Sequence, residues 1–465
     1  MFKDTEARSS EDQQLTAIIS DRLSRVKSGP ASVTINYDQF IRDLAGFDFS
    51  EPRSLQAVGE FVSDATAFGS VPMTHPRYFG LFNPAPSYAS EWGDRIAAAF
   101  NPQLAVWSHA PAPVDIEAHT VTALARRIGF ADGAGGHFTS GGSEANETAV
   151  LCALTRADPR FATEGARSLT GEPALYVSRE SHLAWLKIAH RLGIGRRAVR
   201  LVETDGTGRM CPSALQDAID ADLNEGAIPV FVASTAGTTN AGMIDPMIEV
   251  GEIAAQRGIW HHVDAAWGGA LVASAELRLA LEGMERADSV TVDAHKWFAT
   301  TMGAGIFLCR TPKILSEVFR VSADYMPSND TTRDPYVTSA LWSRRFIGIR
   351  LFMNLAVTAW SGYARHVERA VTLIDRLRIS LQASGWTIAN DSPMAILNVI
   401  PPPDLGSPAD IVARTQTHGG AWVSLASIER KPTVRICITN GQTDEADIDA
   451  LHEILCLPGE PIGNI

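Results

Sequence analysis

The stretches HHVDAAWGGA (261–270) and SVTVDAHKWFAT (289–300) decide the fold of this chain. Each contains a short apolar run that ends near an ionisable side chain, Asp264 in the first stretch and Lys296 in the second. Short continuous apolar runs are typical of buried parallel strands that helices cover on both faces. Because the carboxyl ends of such strands line the ligand crevice of an open α/β sheet, we expect both side chains to face one ligand.

Similar apolar runs recur through the middle of the chain and predict an α/β fold. They alternate with helical stretches between about residues 90 and 350, and further examples are PALYVS, AVRLVET, IPVFVAST and AGIFLCR. After residue 351 a long helical stretch leads to MAILNVI, AWVSLASIE and VRICITN. This ending is typical of a smaller α+β domain.

Helical patterns before residue 90 have apolar faces that they cannot bury alone, so they must pack on the main body or on a second subunit. We therefore predict an N-terminal helical segment (1–90), a large domain (91–350) and a small C-terminal domain (351–465).

The composition is that of an ordinary globular protein, with 45% hydrophobic and 20% charged residues. The 53 acidic and 40 basic residues give a net charge of −13, which argues against nucleic acid or an anionic membrane as a partner. Five scattered cysteines without a C-x-x-C pair predict reduced thiols rather than disulfides or a zinc site. The polar N-terminus and the lack of a membrane-length apolar run predict a soluble, cytoplasmic protein.

A lysine and a carboxylate that face one ligand are what pyridoxal 5′-phosphate requires. The amine forms an imine with the cofactor aldehyde, and the acid keeps the pyridine nitrogen protonated. Taken alone, Lys296 is more readily interpreted as a surface lysine and Asp264 as a strand-end cap. The pair, with His295 beside the lysine, favours the cofactor.

Three further stretches offer contacts to such a cofactor. In HFTSGGSEANETAVLCAL (137–154), Gly142 and Ser143 precede a helical pattern and could bind phosphate, although an ordinary helix cap is the alternative. In STAGTTNAGMIDP (234–246), Thr235 could reach the cofactor, or the stretch could be a structural turn. His182 could stack on the pyridine ring, whereas a lone histidine is more often packed or solvated.

The motifs TSGGSEAN, SRESHLAWLK, STAGTT, HVDAAWGGA and VDAHKW, in this order, resemble the group II pyridoxal-dependent decarboxylases. That family includes the aromatic-L-amino-acid, glutamate and diaminobutyrate decarboxylases. The resemblance covers about residues 70 to 460. It implies the aminotransferase-like architecture of fold-type I, with a mostly parallel seven-stranded sheet, and a homodimer with its site at the subunit interface.

The resemblance also implies roles for individual residues. Lys296 would form the Schiff base, and Asp264 would hold the pyridine nitrogen. Ala266 and His182 would pack on the two ring faces, and the phosphate would be held by Gly142, Ser143 and His295.

Two more matches concern the reaction. Tyr325, in VSADYMPSND, resembles the tyrosine of a mobile loop that helps to protonate Cα after carbon dioxide leaves, and a surface tyrosine is the alternative. Arg435, in VRICITN, resembles the arginine that binds the substrate α-carboxylate, and a strand-end ion pair is the alternative. The implied reaction is decarboxylation of an L-amino acid to its amine.

The substrate side chain is less constrained. Phe82, Pro84 and Trp107 could form an apolar, partly aromatic wall, which favours an aromatic substrate, although they could also be core and interface residues. An acidic substrate stays open, because Arg77, Asn83 and His109 lie nearby in sequence.

One residue departs from the family pattern. Asp293 stands where the aromatic and glutamate branches carry asparagine near the phosphate. A carboxylate there would repel a phosphate dianion unless it is turned away or hydrogen-bonded.

Other functions remain as alternatives. The nearest are a carbon–carbon lyase, an aldehyde synthase or an aminotransferase that uses the same cofactor. A non-catalytic pyridoxal-binding regulator would need a DNA-binding module, which the acidic charge does not support. A nicotinamide enzyme would need a G-x-G-x-x-G turn after a strand, and none is found.

Overall fold

A computed structural model of the chain describes residues 5–321 and 333–458. It has an N-terminal helical segment, a seven-stranded sheet covered by helices, and a smaller four-stranded antiparallel sheet near the C-terminus. The predicted fold class is therefore confirmed. No described helix is both long and apolar enough to cross a membrane.

The large sheet contains seven strands and the small sheet four. The strands of the large sheet are β1 (Gly135–Thr139), β2 (Pro173–Ser178), β3 (Val199–Val202), β4 (Ile228–Thr235), β5 (Trp260–Asp264), β6 (Ser289–Asp293) and β7 (Gly305–Cys309). The strands of the small sheet are β8 (Thr387–Ile388), β9 (Ile396–Ile400), β10 (Ser424–Ile428) and β11 (Lys431–Cys437).

The helices fall into the same three regions. The N-terminal ones are α1 (Thr5–Ser28), α2 (Tyr37–Ala45), α3 (Leu55–Phe68) and α4 (Tyr88–Phe100). Those around the large sheet are α5 (Pro111–Ile128), α6 (Gly142–Ala157), α7 (Phe161–Glu164), α8 (Ala184–Arg191), α9 (Pro212–Asn224), α10 (Met247–Arg257) and α11 (Lys313–Phe319). The remaining ones are α12 (Ile349–Ala383), α13 (Pro408–His418) and α14 (Glu445–Leu455). The domain boundaries at residues 90 and 350 stay a prediction.

The large sheet has the strand order β1-β7-β6-β5-β4-β2-β3. Strands β2 to β6 pair in parallel, whereas β7 runs antiparallel to both of its neighbours. The apolar runs identified in the sequence form β2 to β7. The remaining strand, β1, begins with Gly135 and Gly136. Because these two residues have no apolar side chains, the strand was not recognised as an apolar run.

The strand register brings the predicted site residues to one edge of the sheet. Thr235 at the end of β4 pairs with Asp264 at the end of β5, and Asp264 pairs with Thr291 near the end of β6. Asp293 ends β6, and the chain turns there to carry Lys296. The edge that parallel strands share thus places Asp264 and Lys296 close together, as the apolar runs predicted.

Apolar side chains pack against both faces of the sheet. Trp185 and Phe231 lie in the layer under α6 and α8, and Val263 and Trp297 lie in the layer under α12. Each fully buried large apolar side chain contributes about 1.5–3 kcal/mol to stability. The strand ends at the site are therefore held by a rigid core on both sides.

The segment before α4 joins the small sheet to the site. The Phe79 amide donates to the Trp422 carbonyl at 2.8 Å, and the Cys437 amide donates to the Phe79 carbonyl. A Cβ at Gly80 would stand 1.9 Å from the Trp422 ring, so only glycine fits this close contact. This contact carries Phe82 to the edge of the large sheet.

Candidate active site

A cavity of about 330 Å³ opens at the carboxyl edge of the large sheet. Both Asp264 and Lys296 line it, so the expected meeting of acid and amine is observed. The other predicted site residues that line this cavity are Phe82, Gly142, Ser143, His182, Thr235, Ala266 and His295.

Asp264 is held in one orientation by two donors. The Ala266 amide donates to Oδ1 at 3.1 Å, and the Asn146 side-chain amide donates to Oδ2 at 2.9 Å. The carboxylate is buried, so little water competes for it. Its remaining lone pairs can accept from a cationic N–H in the cavity.

Lys296 pairs with the carboxylate that departs from the family pattern. Its Nζ lies 3.1 Å from Asp293 Oδ2, and its backbone amide donates to the Asp293 carbonyl at 3.2 Å. Asp293 is buried, and its Oδ1 has no hydrogen-bond partner among the described residues. Asp293 is therefore turned toward the amine.

The start of α6 forms an anion-binding end of the cavity. The N-cap residue Gly141 has no side chain to bond the first turn, so the amides of Gly142 and Ser143 face the cavity without a capping side chain. A Cβ added at Gly142 would stand 3.0 Å from Asp293 Oδ2, so a larger residue would crowd this end. An ordinary hydroxyl cap, the alternative for this stretch, is not what the structure shows.

His295 lies at the same end. Its Nδ1 is 3.1 Å from the Ala304 carbonyl oxygen, and its Nε2 is 3.8 Å from Asp293 Oδ2. The ring is thereby fixed between the turn after β6 and the start of β7.

Thr235 is anchored from behind by a buried acid. Its amide donates to Asp245 Oδ2 at 2.7 Å, and its hydroxyl lies 2.9 Å from Ser181 Oγ. The other Asp245 oxygen accepts from the Met210 amide. Burial raises the pKa of Asp245 to about 6. These bonds make the loop after β4 a fixed wall of the cavity rather than only a turn.

His182 lies at the exposed side of the cavity. Its Nδ1 accepts a hydrogen bond from the Ala184 amide at 3.1 Å, which fixes the ring at the start of α8. The Nε2 atom of His182 therefore remains available to a group bound in the cavity.

An aromatic row forms one wall. Phe82 packs on Trp267 with a ring distance of 4.6 Å, and Trp267 stacks on Trp297 at 5.0 Å with an interplanar angle of 21°. Trp267 lines the cavity and was not predicted, although it directly follows Ala266 in HHVDAAWGGA. Offset and tilted contacts of this kind stabilise aromatic clusters.

Two predicted wall residues lie elsewhere in the single chain. Pro84 is buried but does not line the cavity. Trp107 is 39% exposed, its backbone amide donates to Asp334, and its indole N–H donates to Asp115. Neither residue therefore contributes to this wall within one chain, and their role in substrate binding stays a prediction.

Arg435 lies behind Phe82 and does not line the cavity. Its guanidinium donates to the carbonyls of Gly80 and Thr239 at 3.1 and 2.9 Å and to a serine hydroxyl, Ser424 Oγ, at 3.1 Å. It also stands 5.5 Å from the centre of the Phe82 ring. These partners are neutral, so the alternative of a strand-end ion pair is not observed. Tyr325 lies outside the described residues.

Sequence patterns missed Asn146 and Ser181. Both act through hydrogen bonds to residues far away in sequence, Asp264 and Thr235. The only signal for Asn146 is its position in SEAN, one turn into the helix that starts at the anion-binding end.

The residues present fit pyridoxal 5′-phosphate. The cavity joins a lysine amine, an oriented carboxylate and a helix start that faces it with small residues. Its volume lies at the lower end of the roughly 300–1,000 Å³ range of ligand pockets. The sheet order and this pairing define the class of fold-type I pyridoxal-phosphate enzymes.

Comparison with known proteins makes the assignment more specific. A family model described as the pyridoxal-dependent decarboxylase conserved domain matches residues 50–394, and the chain belongs to this family. It is thus a pyridoxal-phosphate-dependent carboxy-lyase.

Individual relatives differ in their substrates. An aromatic-L-amino-acid decarboxylase of Bacillus atrophaeus is 28% identical over 92% of this chain and 91% of its own length. The acidic amino acid decarboxylase GADL1 of Mus musculus is 33% identical over 65% of this chain and 56% of its own length.

Solved structures agree in fold. The crystal structure of mouse CSAD has a TM-score of 0.91 at 25% identity and covers 97% of this chain and 98% of its own. The structure of Oryza sativa TDC with PLP and tryptamine also has a TM-score of 0.91, at 21% identity, and the match covers 98% of each chain.

Proposed function

We propose that the chain decarboxylates an aromatic L-amino acid to its amine, with the cofactor carried on Lys296. The observation that carries the proposed substrate class is the aromatic row in which Phe82 and Trp267 line the cavity. An aromatic substrate ring can pack against such a wall in the same tilted geometry.

When bound, pyridoxal 5′-phosphate supplies an electron sink for the carbon that loses carbon dioxide. The chain's own residues orient the reacting groups and stabilise charge. Asp264, fixed by Asn146 and Ala266, would hold a proton on the pyridine nitrogen. Gly142 and Ser143 would hold the phosphate through their backbone amides, with His295 beside them.

His182 and Ala266 would pack on the two faces of the cofactor ring. Thr235 would contact the ring from the wall that Asp245 anchors. Each of these residues lines the cavity, which supports the assignment.

Arg435 would bind the substrate carboxylate from behind Phe82. A guanidinium has five N–H groups on three nitrogens. Each nitrogen of Arg435 donates to one protein acceptor, so two N–H groups remain for a carboxylate. Tyr325 would return the proton to Cα. Both roles follow the family resemblance.

The partner of this chain would be a second copy of itself. An open cleft of about 1,100 Å³ lies between α1 and α4, with Ile19, Trp92 and Ile96 along it and Phe100 81% exposed at its end. Exposed apolar side chains that cluster along one cleft favour a protein interface. In the dimer, Trp107 and Pro84 would reach the site of the other subunit.

The cytoplasm is the compartment we propose. All five cysteines are free thiols, as the sequence predicted, and a reducing compartment keeps them so.

An acidic substrate has less support in the structure. Arg77 is paired with Asp447 at 3.0 Å, and the Asn83 amide donates to the Met302 sulfur. Neither residue lines the cavity, and His109 does not either. Within a single chain, the groups that an acidic side chain would need are therefore already engaged or lie outside the cavity.

A panel of L-amino acids with detection of carbon dioxide and amine tests this proposal. Aromatic substrates should give equal amounts of both products, and Lys296→Ala should abolish turnover. Phe82→Ala should raise KM for aromatic substrates by up to about tenfold, while Phe82→Leu, which keeps the apolar volume, should have a smaller effect. Preferred turnover of glutamate or aspartate would refute the substrate class, and aldehyde with ammonia as main products would refute the reaction.

A further inference from the structure

A buried chain of hydrogen bonds runs from the middle of the large sheet to Asp264. It passes from the Trp260 indole to Ser289 Oγ (2.8 Å), from Ser289 Oγ to His262 Nδ1 (2.8 Å) and from His262 Nε2 to Asn146 Oδ1 (3.1 Å). It ends where Asn146 Nδ2 meets Asp264 Oδ2 at 2.9 Å. All five side chains are buried.

The two ends of this chain fix its direction. An indole N–H can only donate, so Ser289 accepts from Trp260 and gives its own hydrogen to His262. At the other end, Asp264 offers acceptor oxygens, so the Asn146 amide nitrogen must face Asp264 and its oxygen must face His262. His262 therefore carries its hydrogen on Nε2 and accepts at Nδ1.

The alternative states of His262 conflict with this environment. A hydrogen on Nδ1 alone would place the bare Nε2 lone pair against the Asn146 oxygen. The doubly protonated ring is disfavoured because burial lowers the pKa of His262 to about 3. Trp185 and Phe231 pack against the ring and restrict its rotation.

We propose that this series of hydrogen bonds positions the group that binds the cofactor: Ser289 and His262 act through Asn146 to keep Asp264 a hydrogen-bond acceptor. The hydrogens of Asn146 and of the Ala266 amide both point at the carboxylate. Both hydrogen bonds are stronger to the ionised carboxylate than to the protonated acid, so they favour leaving the shared proton on the pyridine nitrogen. The inference rests on the proposed role of Asp264.

Ser289→Ala is the sharpest test, because it removes the hydroxyl that donates to His262 Nδ1 and so opposes a hydrogen on that atom. Only the Asp264 end then still favours hydrogen on Nε2, so a larger fraction of molecules can carry it on Nδ1. In that fraction Asn146 flips to donate to His262 Nε2, and its hydrogen bond to Asp264 is lost. Ser234→Ala is a matched control: Ser234 is equally buried and bonds a histidine, His261 Nε2, at 2.9 Å. His261 and His262 are consecutive in β5 and point to opposite faces of the sheet.

The first measurement uses the protein without cofactor. Nitrogen-15 NMR of labelled histidine, assigned with His262→Gln, should show the wild-type His262 with hydrogen on Nε2 only. Ser289→Ala should shift this ring toward the Nδ1-protonated form, and Ser234→Ala should not. A wild-type imidazolium, or hydrogen on Nδ1, would overturn the assigned direction whatever the protein catalyses.

The second measurement uses pyridoxal 5′-phosphate labelled with nitrogen-15 in the ring. Ser289→Ala should move the ring-nitrogen shift toward the unprotonated value and weaken cofactor binding by about tenfold, the scale of one lost hydrogen bond to a charged group. A shift and an affinity equal to those of Ser234→Ala would overturn the coupling to Asp264. If Ser289→Ala does not fold, Asn146→Ala breaks the same chain from α6 and is expected to give the same two changes.

Discussion

Replacing Asp293 by asparagine should tighten binding of pyridoxal 5′-phosphate. Asp293 is a buried carboxylate at the anion-binding end, where a Cβ at Gly142 would already stand 3.0 Å from its Oδ2. A phosphate held by the Gly142 amide would thus lie within roughly 5 Å of this charge, and two charges at that distance repel by about 3 kcal/mol at an effective permittivity of about 20. Removing the carboxylate should lower the dissociation constant by about a hundredfold.

A second effect acts in the same direction. In the cofactor-free chain Asp293 pairs with Lys296 Nζ at 3.1 Å, and this ion pair must be broken before the amine can react. Pyridoxal without phosphate separates the two effects. For pyridoxal, Asp293→Asn should increase the affinity only because the ion pair with Lys296 is lost. For pyridoxal 5′-phosphate the affinity should increase more, and the difference between the two increases measures the repulsion between Asp293 and the phosphate.

Titration of the cofactor-free protein, followed by the absorbance of the bound cofactor, gives the dissociation constants of pyridoxal 5′-phosphate and of pyridoxal. Asp288→Asn is the matched control, because it removes the same charge from the residue that directly precedes β6, the strand that ends at Asp293. Its carboxylate pairs with Arg310 and Arg156 rather than with cavity residues. Equal or weaker binding of pyridoxal 5′-phosphate by Asp293→Asn would refute the reasoning and show that Asp293 helps to hold the phosphate.

Two further predictions concern stability. Burial raises the pKa of Asp245 from 3.8 to about 6, so the folded state binds more protons than the unfolded state between these values, and this contribution to stability is lost as pH rises through that window. The unfolding free energy of the wild type relative to Asp245→Asn should therefore fall by up to about 3 kcal/mol between pH 4 and pH 7 in urea denaturation; a constant difference would contradict the assigned shift. Glu117→Ala should cost about 3–5 kcal/mol, because it leaves the buried Arg344 without its partner at 2.6 Å, whereas Asp449→Ala at the exposed pair with Arg376 should cost less than about 1 kcal/mol. Equal losses in the two variants would show that burial does not set the strength of the Glu117 pair.

The sequence predicted the parts of the site that follow strand ends. Asp264 and Lys296 each come just after an apolar run, and parallel strands bring their carboxyl ends to one edge. The fold class was predictable for the same reason, because continuous apolar runs report burial on two faces. Strand β1 escaped this pattern, since its first residues are glycines.

The missed parts depend on contacts between distant residues. Asn146 bonds Asp264 across 118 positions of the chain, and no spacing rule indicates such a pair. Trp107 shows a second limit: it is aromatic and close in sequence to the cleft segment, yet within one chain it does not line the cavity and its indole N–H is bonded to Asp115. Residue type predicted the chemistry of the site, and tertiary packing decided which candidates reach it.

The antiparallel course of β7 has a consequence for how Lys296 moves. The chain leaves the sheet at Asp293 and returns directly opposite, at Gly305, while the Ala294 amide is closed onto the Ala304 carbonyl. The backbone on both sides of the loop that carries Lys296, residues 294–304, is therefore held by the sheet. The Lys296 Nζ amine therefore moves from one partner to another by rotation about side-chain bonds. Such rotation takes nanoseconds or less in accessible side chains, so it needs no slow rearrangement of the loop that carries the lysine.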